Sequence, residues 1–272
     1  MVLGVDIGGT KIATGLVNGR AEVSSASSVP TLANQGYDVS IRQVWGAIEE
    51  SLTGDVTAIG ICAPGPLNPK TGVILNPPNL MGWHNVPLQQ MAQDRFGMRV
   101  RVENDCNAAG LAEVRFGAAK GCSSVFYAAI GTGIGSGIIL DGKIYHGKNG
   151  AAAEGGHVSI DYRCETPCRC GSRGCIEALA SGHVLERMGT YDLNELAVQL
   201  GAWLGSVVSL LDPDMIVIGG GVSKIGEPLF EKLREIVPQR TVNPHARDLP
   251  IVAAHFGAEA GIVGAAAVVM AA

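Results

Sequence analysis

Twice along this chain a strand runs into a glycine turn, reverses, and reverses again at a second turn. No other feature restricts the fold so strongly. In the first copy Val2 to Asp6 is a strand, Gly8 and Gly9 make the tight turn, and Lys11 to Val17 returns. Asn18-Gly19 is a type I′ hairpin signal, and Ala21 to Ser27 supplies a third strand. In the second, Ser124 to Ile130 is a strand, Gly131-Thr132-Gly133-Ile134-Gly135 is the turn, Ser136 to Leu140 returns, Asp141-Gly142 is the hairpin signal, and Lys143 to His146 begins the third strand. The end of the first strand and the hairpin turn are 12 residues apart in one copy (Asp6 to Asn18) and 11 in the other (Ile130 to Asp141). Such matched meanders predict an α/β chain with two domains of like topology facing each other across a cleft.

Between and after the meanders, apolar residues recur at helical spacing (Ile41, Val44, Trp45, Ile48, Leu52; then Leu88, Met91, Ala92, Phe96). Val56 to Ala63 is a buried strand ending in Pro64-Gly65-Pro66, and Arg99 to Glu103 is another, with Asn104 and Asp105 at its carboxyl end. Further on come a helix from Asp192 to Leu211, a strand from Met215 to Ile218, Gly219-Gly220-Gly221, a helix marked by Phe230, Leu233 and Val237, a strand from Ile251, and a small-residue helix from Ala258 to Met270. That last helix is expected to pack back on the first domain. The predicted division is 1–107 with 257–272, and 108–256.

The net charge of -5 gives no electrostatic reason to bind nucleic acid or an anionic membrane. Met1 to Asp6 lacks the basic start and apolar run of a signal peptide, and the apolar stretch from Ile262 is too short to span a bilayer. Seven cysteines without an export signal point to a reducing cytoplasm, where clustered cysteines mean metal before disulfide. The cluster is there: His157, Cys168, Cys170 and Cys175 lie within 19 residues, among turn formers. Three thiols and an imidazole are the closed, structural complement of Zn2+. Free cysteines beside an ordinary polar loop are the alternative. Glu154 and Glu177 flank the cluster, so a metal clamp would hold two carboxylates at one place.

Each meander turn presents backbone amides together with a hydroxyl, Thr10 in one and Thr132 in the other, a combination suited to phosphate oxygens; hairpin formation alone is the bland reading of either. Gly131, Gly133, Gly135 and Gly137 alternate and lead into a strand, which is not the dinucleotide fingerprint; Gly8-Gly9-Thr10-Lys11 lacks the earlier glycine of a Walker loop. Asp6 beside those amides would attract Mg2+. Gly220 and Gly221 suit a flat adenosine. Asp105 can accept the proton of a hydroxyl attacking phosphorus, although an N-cap role for the next helix is also physically sound. Glu154, His157 and Glu177 can hold sugar hydroxyls, with one His157 nitrogen on the metal.

Taken in order, Asp6-Ile-Gly-Gly-Thr-Lys11, Glu103-Asn-Asp105, Gly131-Thr-Gly-Ile-Gly135, Glu154-Gly-Gly-His157, Cys168-Arg-Cys-Gly-Ser-Arg-Gly-Cys175-Ile-Glu177 and Gly219-Gly-Gly-Val222 resemble the ROK family of bacterial sugar kinases over nearly the whole chain. The resemblance implies an actin-like ATPase (ribonuclease H-like) fold, ATP and Mg2+, a homodimer contact, and phosphorylation of a hexose at its 6-hydroxyl. On matching positions it makes Asp105 the catalytic base and Asn104, Glu154, His157 and Glu177 sugar ligands, with Gly65 and Asn79 lining the pocket. Asn79-Leu-Met-Gly-Trp83 with Val86-Pro-Leu88 is similar to the glucokinase members. One departure is the short run of ten residues between Ser181 and Asp192, where a longer helical insertion is common; a trimmed second domain is expected. Competing expectations are a kinase for N-acetylmannosamine, mannose or fructose, a sugar-responsive ROK repressor, and an actin-like ATPase acting on a protein. The repressors carry a DNA-binding segment ahead of the kinase-like part, and here the first strand starts at Val2.

Overall fold

The computed structural model describes residues 1–163, 166–189 and 191–270. Two compact units emerge: Met1–Phe116 with His146–Ala152 and Ala258–Ala272, and Gly117–Tyr145 with Ala153–Gly257. The first therefore extends past residue 107 to take in the whole of the helix Asp105–Phe116, and it recruits a seven-residue segment from beyond the second meander.

In the first unit, β1 (Val2–Ile7), β2 (Lys11–Val17) and β3 (Val23–Pro30) form the antiparallel meander. Next come α1 (Tyr37–Ser51), β4 (Ala58–Ala63), the small strands β5 (Leu67–Asn68) and β6 (Val73–Ile74), α2 (Leu88–Phe96), β7 (Arg99–Asn104) and α3 (Asp105–Phe116). The sheet order is β3-β2-β1-β4-β7, with β4 and β7 parallel to β1. Side-chain alternation explains its two covered faces. Leu3, Val5 and Ile7 with Ile59, Ile61 and Ala63 join the core that includes α1, while Val2, Ala58 and Cys62 turn to the other side, toward Ile262, Ala265 and Ala266 of the C-terminal helix.

That face is lined with glycine. A Cβ on Gly60 would stand 1.8 Å from Ala265 O, and one on Gly4 would stand 2.2 Å from Ile262 O, so only glycine admits the helix backbone onto the sheet.

The second unit repeats the plan with β8 (Ser124–Ile130), β9 (Ile134–Leu140), β10 (Lys143–Ile144), α4 (Ile176–Ala180), α5 (Gly182–Met188), α6 (Leu193–Leu211), β11 (Met215–Gly219), α7 (Glu227–Ile236) and β12 (Ile251–Ala253); α8 (Ala260–Met270) returns to the first unit. Its sheet order, β10-β9-β8-β11-β12, is again a meander plus two parallel strands. Phe126, Ala128, Ile130, Ile216 and Ile218 meet Leu196, Leu200, Trp203 and Leu204 of α6 and Leu229 and Phe230 of α7 in one core. Asp192 caps α6, accepting from Asn194 N at 2.7 Å.

The hairpins divide. Asp141 (φ 52) and Gly142 (φ 68) make the expected type I′ turn. Asn18-Gly19 does not. The Asn18 side-chain oxygen accepts from Arg20 N and Glu22 N at 2.9 and 3.1 Å, which opens a wider loop whose left-handed residue is Ala21 (φ 63). The third strand consequently begins at Val23. In the second copy it stops at Ile144, and His146 passes into the first unit.

Candidate active site

In the first unit the acidic groups gather at the carboxyl ends of parallel strands, the usual ligand position of an open α/β sheet. Asp6 of β1 lies in register with Cys62 of β4, which lies in register with Glu103 of β7. The Asp6 carboxylate is crowded against α8, where a Cβ on Gly261 would stand 2.1 Å from its Oδ2. Burial raises its pKa above the ordinary value, against the pull of the Cys62 thiol and the Lys11 charge.

Cys62, fully buried, has one proton and two acceptors at 3.3 Å, Asp6 Oδ1 and Gly261 O. Desolvation, then the charges of Asp6 and Asp105, push the thiol pKa well up, which keeps that proton on sulfur.

Asn104 takes the cap of α3. Its Oδ1 accepts from Cys106 N at 2.9 Å and Asn107 N at 3.2 Å. Asp105, the residue weighed as a cap from sequence, is thereby left in the first helical turn, where its Oδ1 accepts from Cys106 N at 2.8 Å. Part of the residue remains accessible, yet its carboxylate is enclosed by protein. Desolvation and the neighbouring Asp6 charge raise its pKa to about 6, opposed by the Cys106 amide.

Gly65 is adjacent to Asn104, whose Nδ2 would be 3.5 Å from a Cβ there, and Gly9 is pressed on Asn79, with 2.9 Å to Asn79 O for the same construction. The turn itself closes through Gly8 N to Lys11 O at 2.9 Å and is braced by Thr31, whose hydroxyl donates to Gly8 O at 2.6 Å. Asp6, Gly8, Gly9, Lys11, Gly65, Asn79, Asn104 and Asp105 thus belong to one unit.

Glu103, His146, Cys62 and Thr31 were not singled out from sequence. Glu103 stood inside a recognised motif, but His146 gave no signal. It is 43 residues from its partner.

In the second unit the turn between Ile130 and Ile134 is one residue shorter than the turn between Ile7 and Ile12, and it closes through Gly131 N to Gly133 O at 2.9 Å. Strand β9 starts at Ile134, so Gly135 lies in the strand. Gly220 (φ 83) packs beside the same place, with 2.5 Å from its Cβ position to Ile130 O, and Gly221 follows it. Glu154 is exposed, and its carbonyl accepts from His157 N at 3.0 Å. Gly155 and Gly156 lie on β9 so closely that a Cβ on Gly156 would be 1.8 Å from Ile134 O. They are close-approach glycines, not mere turn formers.

The ligand atoms of His157, Cys168, Cys170 and Cys175 all lie within 4.8 Å of one another. Cys168 Sγ is 3.6 Å from His157 Nδ1, and Cys170 Sγ is 3.6 Å from Cys175 Sγ. Two thiolates about 2.3 Å from a tetrahedral ion would stand about 3.8 Å apart, so donor set and spacing fit a four-coordinate metal. A tight turn (Gly171 N to Cys168 O, 3.0 Å) and the Ser159–Cys175 bridge bring the donors together. Glu177, half-buried on α4, accepts from Ile134 N at 2.9 Å through Oε2.

The ROK family model matches residues 2–199 and 190–272. The chain belongs to the ROK family. The two matched stretches of this ROK chain overlap at the start of α6, beside the short run between Ser181 and Asp192, which here carries α5. A glucokinase of Streptomyces coelicolor is 33% identical over 309 residues, covering 98% of this chain and 96% of that protein. The crystal structure of a ROK family glucokinase from Streptomyces griseus in complex with glucose and AMPPNP superimposes with a TM-score of 0.84 at 33% identity, covering 100% and 99% of the two chains. A ROK hexokinase from Thermus thermophilus gives 0.85 at 34%, covering 98% and 96%. The architecture is the α/β actin-like ATPase fold of ROK sugar kinases. Among the described residues no helix is long and apolar enough to cross a membrane.

Proposed function

We propose that the chain is an ATP-dependent glucokinase, transferring the γ-phosphoryl group of ATP to the 6-hydroxyl of glucose. Asp105 is the general base. With a pKa near 6 it is ionised at neutral pH, yet basic enough to take the hydroxyl proton as O6 attacks phosphorus. The O6–P bond forms, the bond from phosphorus to the β–γ bridging oxygen breaks, the proton passes to Asp105 and ADP leaves.

Asn104, Glu154, His157 and Glu177 hold sugar hydroxyls, beside Gly65 and Asn79. The amides of Gly8, Gly9 and Thr10 and of Gly131, Thr132 and Gly133 meet phosphate oxygens, with Lys11 adding charge, and Gly220 and Gly221 approach the adenosine. Asp6 would hold Mg2+, directly or through water, and the ion would supply positive charge to the phosphates. His157, Cys168, Cys170 and Cys175 would hold Zn2+ as a structural ion, their four donors being the complement of a closed site.

The observation that carries this reading is that Asn104 accepts from both Cys106 N and Asn107 N, so α3 has its cap without the Asp105 carboxylate, which shares the Cys106 amide. End-to-end similarity to a glucokinase solved with glucose and AMPPNP supports the substrates. A coupled ADP-release assay across hexoses tests it. Glucose is expected to give the highest kcat/KM; preference for an N-acetyl sugar would reassign the substrate, and no turnover with any sugar would reject the kinase.

The same reading includes a cytoplasmic location and a homodimer. Leu210 (84% exposed) and Val242 (99%) lie next to the Ser209–Thr241 hydrogen bond, and light scattering would measure self-association.

A further inference from the structure

One Glu177 oxygen is already engaged by the protein backbone. Ile134 N, which donates to Glu177 Oε2, is the first amide after the second glycine turn, and a Cβ on Gly133 would stand 2.5 Å from that same oxygen. At the other arm of the turn Gly182 N donates to Gly131 O at 2.6 Å, and a Cβ on Gly182 would stand 2.7 Å from that oxygen. The segment carrying α4 and the start of α5 therefore grips both arms of the turn. That segment begins at Cys175, which is the N-cap residue of α4 and the last sulfur of the metal cluster, and whose Sγ lies 3.3 Å from His157 O.

We infer that Glu177 is a positioning residue for the Gly131–Gly133 turn, joining the sugar side of the knuckle to the binding of nucleotide phosphate. The inference rests on the assignment of that turn to ATP phosphates. A carboxylate bonded to the Ile134 amide fixes the Gly133–Ile134 peptide plane. The neighbouring amides are then oriented before phosphate arrives, and donors already in place bind without an ordering cost. One carboxylate serving the turn through Oε2 and a sugar hydroxyl through Oε1 makes the two ligands linked, and the coupling is reciprocal.

The test is calorimetric titration of the metal-loaded protein with AMPPNP, with and without glucose. Wild type is expected to bind AMPPNP more tightly when glucose is present. Glu177→Ala should weaken AMPPNP binding about tenfold without sugar and abolish the glucose effect, whereas Glu177→Gln, which keeps an acceptor oxygen, should stay within about threefold.

Gly133→Ala offers an independent route. Its Cβ displaces only the flexible end of Glu177, so the protein folds but loses the same bond, again with about tenfold weaker AMPPNP binding. Combining it with Glu177→Ala should cost nothing further, because the bond is already absent. Unchanged affinity in Glu177→Ala, or fully additive losses in the double variant, would overturn the inference alone. A wild-type protein that binds no AMPPNP would overturn it together with the kinase reading.

Discussion

Glu103 Oε2 and His146 Nε2 are 2.7 Å apart, and the Glu103 side chain is almost wholly buried. Its other oxygen accepts from Asn104 N at 2.8 Å and Asn107 Nδ2 at 3.1 Å, so the carboxylate ties the entry of α3 to the segment His146–Ala152. Removing the imidazole leaves a buried acceptor short of a partner. His146→Ala should lower unfolding free energy by about 1–3 kcal/mol in urea titration, with His146→Gln recovering part of the loss. An unchanged midpoint would mean that water replaces the imidazole at no cost.

Asp105 has opposite effects on activity and stability. Its folded pKa of about 6 is above the ordinary value of 3.8, so the folded state holds the proton more tightly than the unfolded chain. Stability from this group is therefore highest below the unfolded value and is lost as pH rises through about 6. Asp105→Asn should abolish turnover while raising the melting temperature at pH 8 by about 2–4 °C, a gain that fades towards pH 4. In the wild type kcat/KM should fall as pH drops below about 6.

Replacing Cys170 by Ser should release the metal. Loss of zinc in elemental analysis, a lower melting temperature and loss of activity are expected together, because the cluster starts the helix that carries Glu177. Full activity in a zinc-free preparation would reject the clamp.

The seating of α8 gives a paired stability test. Gly60→Ala places a methyl 1.8 Å from Ala265 O, a backbone atom that moves only with the helix, and should cost about 3 kcal/mol. Gly46→Ala in α1 meets nothing within 4 Å and should gain about 0.5–1 kcal/mol, reported by the same denaturation experiment.

Local signals predicted local structure well. Strand β8 falls at Ser124–Ile130 as its apolar run and flanking glycine indicate, and α6 starts after Asp192, a side chain able to hold a free helical amide. Asn18-Gly19 misled because Asn18 had a second local option, accepting two amides of its own loop, and dipeptide preference cannot weigh that competition. Asn104 and Asp105 are adjacent and both able to cap. Sequence could not rank them, since the outcome depends on how β7 delivers the chain into α3.

The order of motifs by itself determined the repeated strand plan, the clustering of His157 with three cysteines and the family, because turn chemistry and residue type act over a few residues. Only tertiary structure decided that His146 reaches Glu103, that Cys62 donates to Asp6, and that Glu177 holds Ile134. Each of these partners is at least 43 residues away in the chain and is chosen by which strands pair and which helix lies on the sheet, so no local spacing encodes it.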